Sequence, residues 1–507
     1  MNFWGCGSGA RRAEMNANGN SNRHLLAAGL TYALLLAAAA KIVLVTFSSP
    51  IMGYGNNFDF IRQSSCVGLW QAYQEKPKTS PNPEAPVNSL QYDGDINNGG
   101  CMRSSDNVFP YLATVFHKVG DAVDFREISV WKIVFLSAGL ALLLFNTPNP
   151  LIKLAIAAAF FMVFGDVANL FYANTFYLEF SVVGGCFFSL LAIATYMTCK
   201  SEPSNWFFVF AVLSIMWLGL SKHQYMPLAS ILAFGLSVSL FSRWQVWKKS
   251  LVFLAIALMI PLFYNRLNSD DSTMIRSVNF ANQVDTFLWA VLPEAADKET
   301  ALSTLGLPAS CLPEIGKNWY SPGVQQSRPC PEVEKLGRVR LLRLFVMDPS
   351  TFFTPMQKAM VGVRPFYPVY LGHLESPAER GSTRYRLLKE TSFSSLLAGI
   401  PGDALLVLSF LSMVLGPPFL ITLTTRENSE FKRFLLAMIG LGGVTTGYAI
   451  ASSVFGDGYA ELQKHAVVFT TGMAFQAVGL ILLVSDYRPG AAASHEAARS
   501  GMGSGRR

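Results

Sequence analysis

The sequence predicts an all-α integral membrane protein with about ten transmembrane helices and two large outer segments. Only 14% of its 507 residues are charged and 51% are hydrophobic, whereas soluble domains carry roughly 25% charged residues. The apolar residues are concentrated in runs that suit helices crossing a bilayer, which need about 20 residues each. The predicted spans are 25–47, 129–146, 151–165, 178–198, 206–220, 224–241, 250–265, 403–424, 434–452 and 466–485.

Lysine and arginine in the short loops set the predicted orientation, because cytoplasmic loops of membrane proteins carry an excess of both. With the N-terminus inside, every predicted inner segment contains at least one of them. The short outer loops 166–177, 221–223 and 453–465 contain only Lys222 and Lys464. We therefore expect both termini in the cytoplasm and the first apolar run as a retained anchor. The net charge of +7 follows from this topology and predicts no nucleic-acid partner.

The predicted spans divide the chain into alternating membrane and water-exposed parts. These parts are a cytoplasmic tail at 1–24, the first transmembrane helix at 25–47, a first outer loop at 48–128, transmembrane helices two to seven at 129–265, a large outer domain at 266–402, transmembrane helices eight to ten at 403–485 and a disordered cytoplasmic tail at 486–507.

Four cysteines fall in the two predicted outer segments. Cys66 and Cys101 lie in the first outer loop, and Cys311 and Cys330 lie in the large outer domain. An even number in each segment is typical of disulfides formed in an oxidising compartment. Pairing within each segment is the simplest of the three connectivities, and four free thiols are the alternative.

The stretch VEKLGRVRLLRLFVM predicts a basic amphipathic helix over 333–347. Its apolar positions recur at helical spacing: Leu336, Val339, Leu342 and Val346. Three arginines spread around the remaining surface: Arg338, Arg340 and Arg343. Such a helix either lies in the membrane interface near anionic headgroups or packs inside the outer domain, and the sequence leaves both open.

Four groups of polar residues fall in the predicted outer loops, and the predicted inner loops hold nothing comparable. The groups are GYGNNFDFIRQ at 53–63, GDVANLFYANTFYLEF at 165–180, SKHQY at 221–225 and FGDGYAELQKH at 455–465. Their candidate site residues are Asp59, Arg62, Asp166, Tyr177, Glu179, Lys222, Asp457, Glu461, Lys464 and His465. We therefore expect a site at the outer membrane boundary, whereas secondary transporters place ionisable groups near the midplane.

A site of this composition suits group transfer from a phosphate. A carboxylate at a desolvated boundary can act as a general base, and nearby cations can hold a phosphate leaving group. Nucleotide-activated donors belong to the cytoplasm, so a sugar transfer at the outer face would use a donor carried on a lipid phosphate.

Five stretches resemble bacterial polytopic glycosyltransferases of the GT-C superfold, in particular the hexose transferases of surface-glycan biosynthesis. They are NNFDFIRQ, NTFYLEF, SKHQYMPLA, NQVDTFLWAVLPEAADKETALSTLGLP and GDGYAELQKHAVVF, in this order over about residues 50 to 480. The resemblance implies a GT-C-like fold in the bacterial inner membrane, a polyprenyl-phosphate-sugar donor and inversion at the anomeric carbon. It implies an acceptor glycan, lipid or protein at the outer face.

The resemblance also implies roles for individual residues. Asp59 matches the acidic residue of the first outer loop that is the usual catalytic base, and Asp166 could supply a second carboxylate. Many GT-C members carry paired acids in that loop, and Asp59 departs from this pattern because it has no acidic neighbour. The candidates for binding the donor phosphate are Arg62, Lys222, Lys464 and His465.

Structural interpretations compete with these roles. Asp59 and Arg62 could form an ordinary i, i+3 salt bridge, and Asp166 could cap a helix. Glu461 and His465 share a helix face at i, i+4, which also suits a divalent metal, although no metal site or cofactor is assigned. The functional alternatives are an oligosaccharide polymerase or ligase that uses polyprenyl-linked donors, and a transporter of lipid-linked sugars.

Overall fold

The computed structural model describes most of the chain. The described residues are 17–47, 49, 63–70, 89–95, 101–198, 204–241, 247–268, 273–368, 371, 383–411, 414 and 429–486. Asp59, Arg62, most of the predicted N-terminal tail and nearly all of the predicted C-terminal tail lie outside these residues.

Helices make up most of the described part of the chain. In the first half they are α1 Ala17–Thr46, α2 Val108–Thr114, α3 Phe125–Phe145, α4 Pro150–Phe164, α5 Val167–Leu170, α6 Glu179–Thr198, α7 Asn205–Gly219, α8 Met226–Phe241 and α9 Trp247–Leu267. In the second half they are α10 Thr273–Gln283, α11 Lys298–Leu305, α12 Val324–Ser327, α13 Arg340–Met347, α14 Ser350–Gly362, α15 Thr383–Glu390, α16 Phe393–Ala398, α17 Gly402–Leu411, α18 Glu430–Asp457, α19 Leu462–His465 and α20 Val468–Asp486. The prediction of a mainly helical membrane protein is confirmed.

Seven helices within the described ranges are long and apolar enough to cross a membrane. They are α1, α3, α6, α8, α9, α18 and α20. The helix α4 and the segment 167–174 form a pair bent by 64°, which would make an eighth span. The helices α7 and α17 are apolar but shorter. The predicted spans therefore all coincide with helix in the described residues, while the count of ten stays a prediction.

Three of the apolar helices begin at residues whose side chains cap them. Asp124 caps α3 in a capping box with Glu127, Asn149 caps α4 ahead of Pro150, and Ser429 caps α18. These side chains satisfy backbone N–H groups that have no partner within the helix. The apolar run after each cap then forms the span.

The span α6 is the centre of the bundle. In its most apolar window, 89% of the residues are buried inside the protein, and it packs against α7 and α18. The spans α18 and α20 approach closely at glycines, because a Cβ on Gly442 would lie 2.5 Å from the Gly472 carbonyl oxygen. Small residues of this kind allow membrane helices to pack backbone against backbone.

A small antiparallel sheet lies in the predicted first outer loop, and the sequence analysis did not predict it. Its strands are β1 Leu69–Trp70, β2 Ser89–Tyr92 and β3 Ala122–Asp124, in the order β1-β2-β3. Leu69 pairs with Tyr92, and Leu90 pairs with Val123. Since β3 ends at Asp124, the residue that caps α3, the sheet adjoins the start of that span.

Both predicted disulfide pairings are confirmed. Cys66 bonds to Cys101 with the Cα atoms 5.0 Å apart, and Cys311 bonds to Cys330 with the Cα atoms 5.3 Å apart. Each bond therefore closes a loop within one predicted outer segment.

The predicted helix over 333–347 is wrong in its first half. Pro331–Lys335 forms a 3-10 turn, and the α-helix begins only at Arg340. Gly337 separates the two pieces, and glycine is a poor helix former because it loses the most backbone entropy. Leu336 is buried by the turn, so it does not share a face with the apolar residues of α13.

Candidate functional site

Three chain segments that are far apart in sequence meet at one end of the helix bundle. Glu179 is the first residue of α6, Lys222 lies between α7 and α8, and His465 ends α19. The Lys222 Nζ donates to Glu179 Oε1 at 2.7 Å and lies 3.3 Å from His465 Nδ1. The His465 Nε2 lies 2.9 Å from Asp457 Oδ2 at the end of α18. We call these four residues the charge network.

Burial makes the pairing within the charge network necessary. The Glu179 side chain is only 2% exposed, and an ionised carboxylate there would be costly without the Lys222 ammonium. The Lys222 side chain is 15% exposed, and His465 is partly buried. The network is therefore held from inside by Glu179, and its other three side chains are each about one-seventh exposed.

The SKHQY motif orients the His465 imidazole. The Gln224 amide donates to the His465 backbone oxygen at 2.9 Å, and its Oε1 lies 2.9 Å from His465 Nδ1. The Tyr225 hydroxyl donates to the same backbone oxygen, and the Tyr448 hydroxyl donates to the Gln224 backbone. The neutral ring can accept from Lys222, whereas the protonated ring can donate to Gln224. Gln224 is thus a positioning residue that the sequence analysis quoted but did not select.

The other predicted residues of this region lie beneath the network. Lys464 is buried, forms an ion pair with Glu461 and places its Nζ 5.5 Å from the centre of the Tyr177 ring. Glu461 has a φ of +44°, a left-handed conformation that non-glycine residues adopt at a cost of about 1–3 kcal/mol. These contacts hold the turn that presents His465, and they give Lys464 a structural partner besides its predicted phosphate-binding role.

The metal alternative gains no support in the described residues. His465 faces Asp457, while Glu461 faces Lys464. Among the described residues, the group that could hold a metal ion consists of Cys311, Cys330 and Glu332. Its two cysteines form a disulfide, so their thiolates are not available as ligands.

The predicted outer domain covers the Asp457 side of the network. With its side-chain amide oriented to satisfy its neighbours, Asn282 donates to Asp457 Oδ1 at 2.9 Å. Arg338 donates to the backbone oxygens of Phe455 at 3.0 Å and Gly456 at 2.6 Å. Burial lowers the pKa of Arg338, and the Asp457 charge opposes this effect. These contacts attach the outer domain to the last turn of α18.

Asp285 is a second buried carboxylate beside this turn, and the sequence analysis did not select it. It lies in a π-helix, Val284–Val291, and accepts a hydrogen bond from the Trp319 backbone at 2.7 Å. Burial raises the pKa of Asp285 to about 7, helped by the nearby Asp457 charge and opposed by the Trp319 N–H. A Cβ on Gly458 would lie 2.2 Å from the Asp285 backbone oxygen. Short π-helical segments are frequent at functional sites.

A second ion pair lies fully inside the protein. The Lys132 Nζ is 3.7 Å from Asp106 Oδ2 and donates to the backbone oxygens of Tyr172 at 3.1 Å and Thr175 at 2.6 Å. The Ser181 hydroxyl donates to Asp106 Oδ1 at 2.7 Å. Burial raises the pKa of Asp106, and the Lys132 ammonium opposes that rise. This pair joins the predicted first outer loop to α3 and α6.

This pair was not predicted, although the sequence contains one signal for it. Lys132 lies inside the predicted span 129–146 and is fully buried. A lysine within an apolar span needs a partner. Asp106 is that partner, and it lies in the preceding outer loop, so only the folded chain reveals it.

Asp166 lies at the break between α4 and α5 and forms no hydrogen bond to the charge network. Its Oδ1 accepts from the Ala168 N–H at 2.8 Å and the Ser394 hydroxyl at 2.6 Å, and its Oδ2 accepts from the Ser394 N–H. The Lys41 Nζ donates to the Gly165 oxygen at 3.0 Å nearby. These contacts favour the capping interpretation, and a catalytic role for Asp166 stays a prediction.

A family model gives the first comparison with known proteins. The model, described as the YfdI N-terminal transmembrane domain, matches residues 17–489. The chain belongs to this family. The match includes every span and every residue of the charge network. Searches of curated proteins and of solved structures give no significant match.

In this member of the YfdI transmembrane family, the predicted site residues fall into three groups. The charge network brings together Glu179, Lys222, Asp457 and His465, with Tyr177, Glu461 and Lys464 packed beneath it. Asp166 lies apart as a helix cap. Asp59 and Arg62 lie outside the described residues.

Proposed function

We propose that the protein is a GT-C-type glycosyltransferase of the bacterial inner membrane. It moves one sugar from a polyprenyl-phosphate donor to an acceptor glycan, lipid or protein at the outer face, in cell-surface glycan biosynthesis. The observation that carries the proposal is the charge network, which gathers an ammonium, an imidazole and two carboxylates at one end of the bundle. The two disulfides support an outer location for the covering segments.

In this proposal the network binds the donor phosphate. The Lys222 ammonium has three N–H donors and uses one for Glu179, so it can also donate to a phosphate oxygen. The neighbouring His465 imidazole can donate to the same phosphate in exchange for its contact with Asp457. Such charge-assisted hydrogen bonds are about twice as strong as neutral ones. They stabilise the negative charge that develops on the polyprenyl phosphate as it leaves. Glu179 positions the ammonium from the buried side.

Asp59 supplies the general base in this mechanism. Its carboxylate takes the proton from the acceptor hydroxyl, whose oxygen forms a bond to the anomeric carbon. The bond from that carbon to the phosphate oxygen breaks on the opposite face, so the anomeric configuration inverts. The products are the glycosylated acceptor and the polyprenyl phosphate.

A chain of contacts joins Gln63, the described residue nearest to Asp59 in the sequence, to the helix that carries the network. Gln63, which follows Asp59 closely in sequence, is buried and accepts from the Asn107 amide at 3.3 Å. The neighbouring Asp106 accepts from Ser181 at 2.7 Å in the first turn of α6, the helix that begins at Glu179. The described end of the segment is thus anchored to the helix that carries the network.

A transfer assay tests the proposal. The purified protein in lipid is offered a panel of synthetic polyprenyl-phosphate sugars, beside Asp59→Asn and the control Asp95→Asn, which changes an exposed acid of the same predicted outer loop. We expect transfer by the wild type and the control, and a loss of about 100-fold or more in Asp59→Asn.

Three other outcomes would contradict parts of the proposal. Wild-type activity in Asp59→Asn would move the base to another residue and favour the polymerase or ligase alternative. Movement of the carrier across the bilayer without sugar transfer would favour a transporter. No transfer with any donor would refute the proposed function.

A further inference from the structure

The helix α13 leaves a row of apolar side chains uncovered. Leu341 and Leu344 are buried against the protein, whereas Leu342 and Val346 are 62% and 83% exposed, and Val339, the residue that precedes the helix, is 78% exposed. Residues at this spacing lie on one face of a helix. Contiguous exposed apolar residues of this kind mark a surface that contacts a partner or a membrane.

The position of α13 relative to a span identifies what covers this face. Arg338 binds the carbonyl oxygens of the last turn of α18, and the Phe345 ring lies 4.8 Å from the Phe455 ring. The span α18 has 28 residues and is therefore about 42 Å long at 1.5 Å per residue. A bilayer with its headgroups is about 40–45 Å thick. The end of α18, and α13 with it, therefore lie at headgroup level.

A basic cavity adjoins the exposed row. It has a volume of about 330 Å³ and is lined by Ser303, Thr304, Leu305, Gly306, Arg340 and Arg343. One nitrogen of Arg340 donates to the Leu305 carbonyl at 2.7 Å, which fixes the guanidinium at the cavity wall. Gly306 permits this approach, because a Cβ there would lie 3.1 Å from the same nitrogen. The Ser303 and Thr304 hydroxyls donate to the Thr300 backbone oxygen, so the two guanidinium groups are the donors that suit a phosphate group here.

We propose that α13 lies in the interface at the outer face of the membrane that the protein spans, and that its cavity binds the phosphate headgroup of an anionic phospholipid. The acyl chains of that lipid lie against Val339, Leu342 and Val346, and Arg340 and Arg343 bind its phosphate. Basic amphipathic helices bind membranes in this way, through buried apolar area together with attraction to anionic lipids. This inference does not depend on the proposed glycosyl transfer.

A depth measurement tests the position of the helix. A spin label is attached to Val346→Cys in a variant whose cysteines outside the two disulfides are replaced by serine, and the protein is placed in nanodiscs of phosphatidylcholine and phosphatidylglycerol. The control label is at Gln326→Cys, an exposed position on α12. We expect the label at 346 to collide with dissolved oxygen more than with a water-soluble nickel complex, and the label at 326 to show the reverse.

Two results would overturn this position. Equal access of the nickel complex to both labels would place α13 in water. Shielding of the label at 346 from both reagents would indicate that a protein, such as a second copy of the chain, covers the helix.

A lipid-retention measurement tests the cavity. Native mass spectrometry counts the phosphatidylglycerol that the protein retains from the same nanodiscs, for the wild type, Arg340→Gln/Arg343→Gln and the control Lys298→Gln, which removes an exposed charge from α11. The loss of two arginines at an anionic surface should lower retention by about tenfold or more, and the control should not. Unchanged retention in the double variant would refute the headgroup site. Retention of added polyprenyl phosphate in place of phosphatidylglycerol would also refute it, because the cavity would then be a carrier site.

Discussion

The Glu179–Lys222 ion pair offers a test that separates structural from functional contributions. Lys222→Met would leave the Glu179 carboxylate, which is 2% exposed, without the ammonium now 2.7 Å away. Removal of one partner from a buried pair costs about 3–5 kcal/mol of unfolding free energy. We expect a loss of about 3 kcal/mol, at the low end of this range, because the Lys222 side chain is 15% exposed.

The double variant Glu179→Gln/Lys222→Met should recover most of that stability, because it buries no uncompensated charge. It should not recover the proposed sugar transfer, since the ammonium to which we assign donor-phosphate binding is still missing. Stability is measured by unfolding in detergent, and activity by the polyprenyl-phosphate-sugar assay. The matched control is Lys317→Met. The Lys317 Nζ lies 2.9 Å from Glu314 Oε2, but the Lys317 side chain is 44% exposed. It should cost less than about 1 kcal/mol.

Either of two results would refute this reasoning. If Lys222→Met is as stable as the wild type, the Glu179 carboxylate does not need its partner. If the double variant transfers sugar at the wild-type rate, Lys222 has only a structural role and the phosphate-binding assignment is wrong.

Three further variants test other parts of the structure by unfolding measurements. Because the folded-state pKa of Asp285 is raised from 3.8 to about 7, the unfolding free energy should fall as pH rises from about 4 to 7. The variant Asp285→Asn should abolish this fall and should be more stable than the wild type at pH 8. If the variant shows the same pH profile as the wild type, burial of Asp285 does not cause the fall. The Cys311→Ser/Cys330→Ser variant removes a disulfide of sequence separation 19 and should lower the unfolding free energy by about 3 kcal/mol. If reductant leaves the unfolding free energy of the wild-type protein unchanged, this disulfide does not contribute to stability. Gly442→Ala should cost about 1–3 kcal/mol through the clash of its Cβ with a carbonyl of α20, whereas Gly456→Ala on the same span meets no atom within 4 Å and serves as the control that should change little.

The apolar spans could be predicted from sequence because membrane burial depends mainly on local composition. The predicted span 129–146 corresponds to Phe125–Phe145, and 466–485 corresponds to Val468–Asp486. The small sheet could not be predicted, because strands as short as Leu69–Trp70 carry no periodic signal. The π-helix around Asp285 was also missed, since its backbone depends on packing against α18 and the Trp319 loop.

The candidate site could be predicted only as a set of loops. The sequence placed Lys222, Lys464 and His465 at the same membrane face, but it could not assign their partners. In the structure Lys464 faces Glu461 beneath the network, whereas Lys222 and His465 remain partly accessible. Partners such as these are set by helix packing over long sequence separations, which local patterns do not encode.

The charge network also has a consequence for the biogenesis of the protein. Chains are synthesised from the N-terminus, so Glu179 and Lys222 enter the membrane region long before Asp457 and His465. Glu179 and Lys222 can neutralise each other's charge before Asp457 and His465 have been synthesised. The imidazole arrives only with the hairpin formed by α18 and α20, so the complete network first exists when α20, the last span within the described residues, has been inserted. A nascent or truncated chain that ends before this hairpin therefore lacks the complete charge network, which can form only when α18 and α20 are both in place.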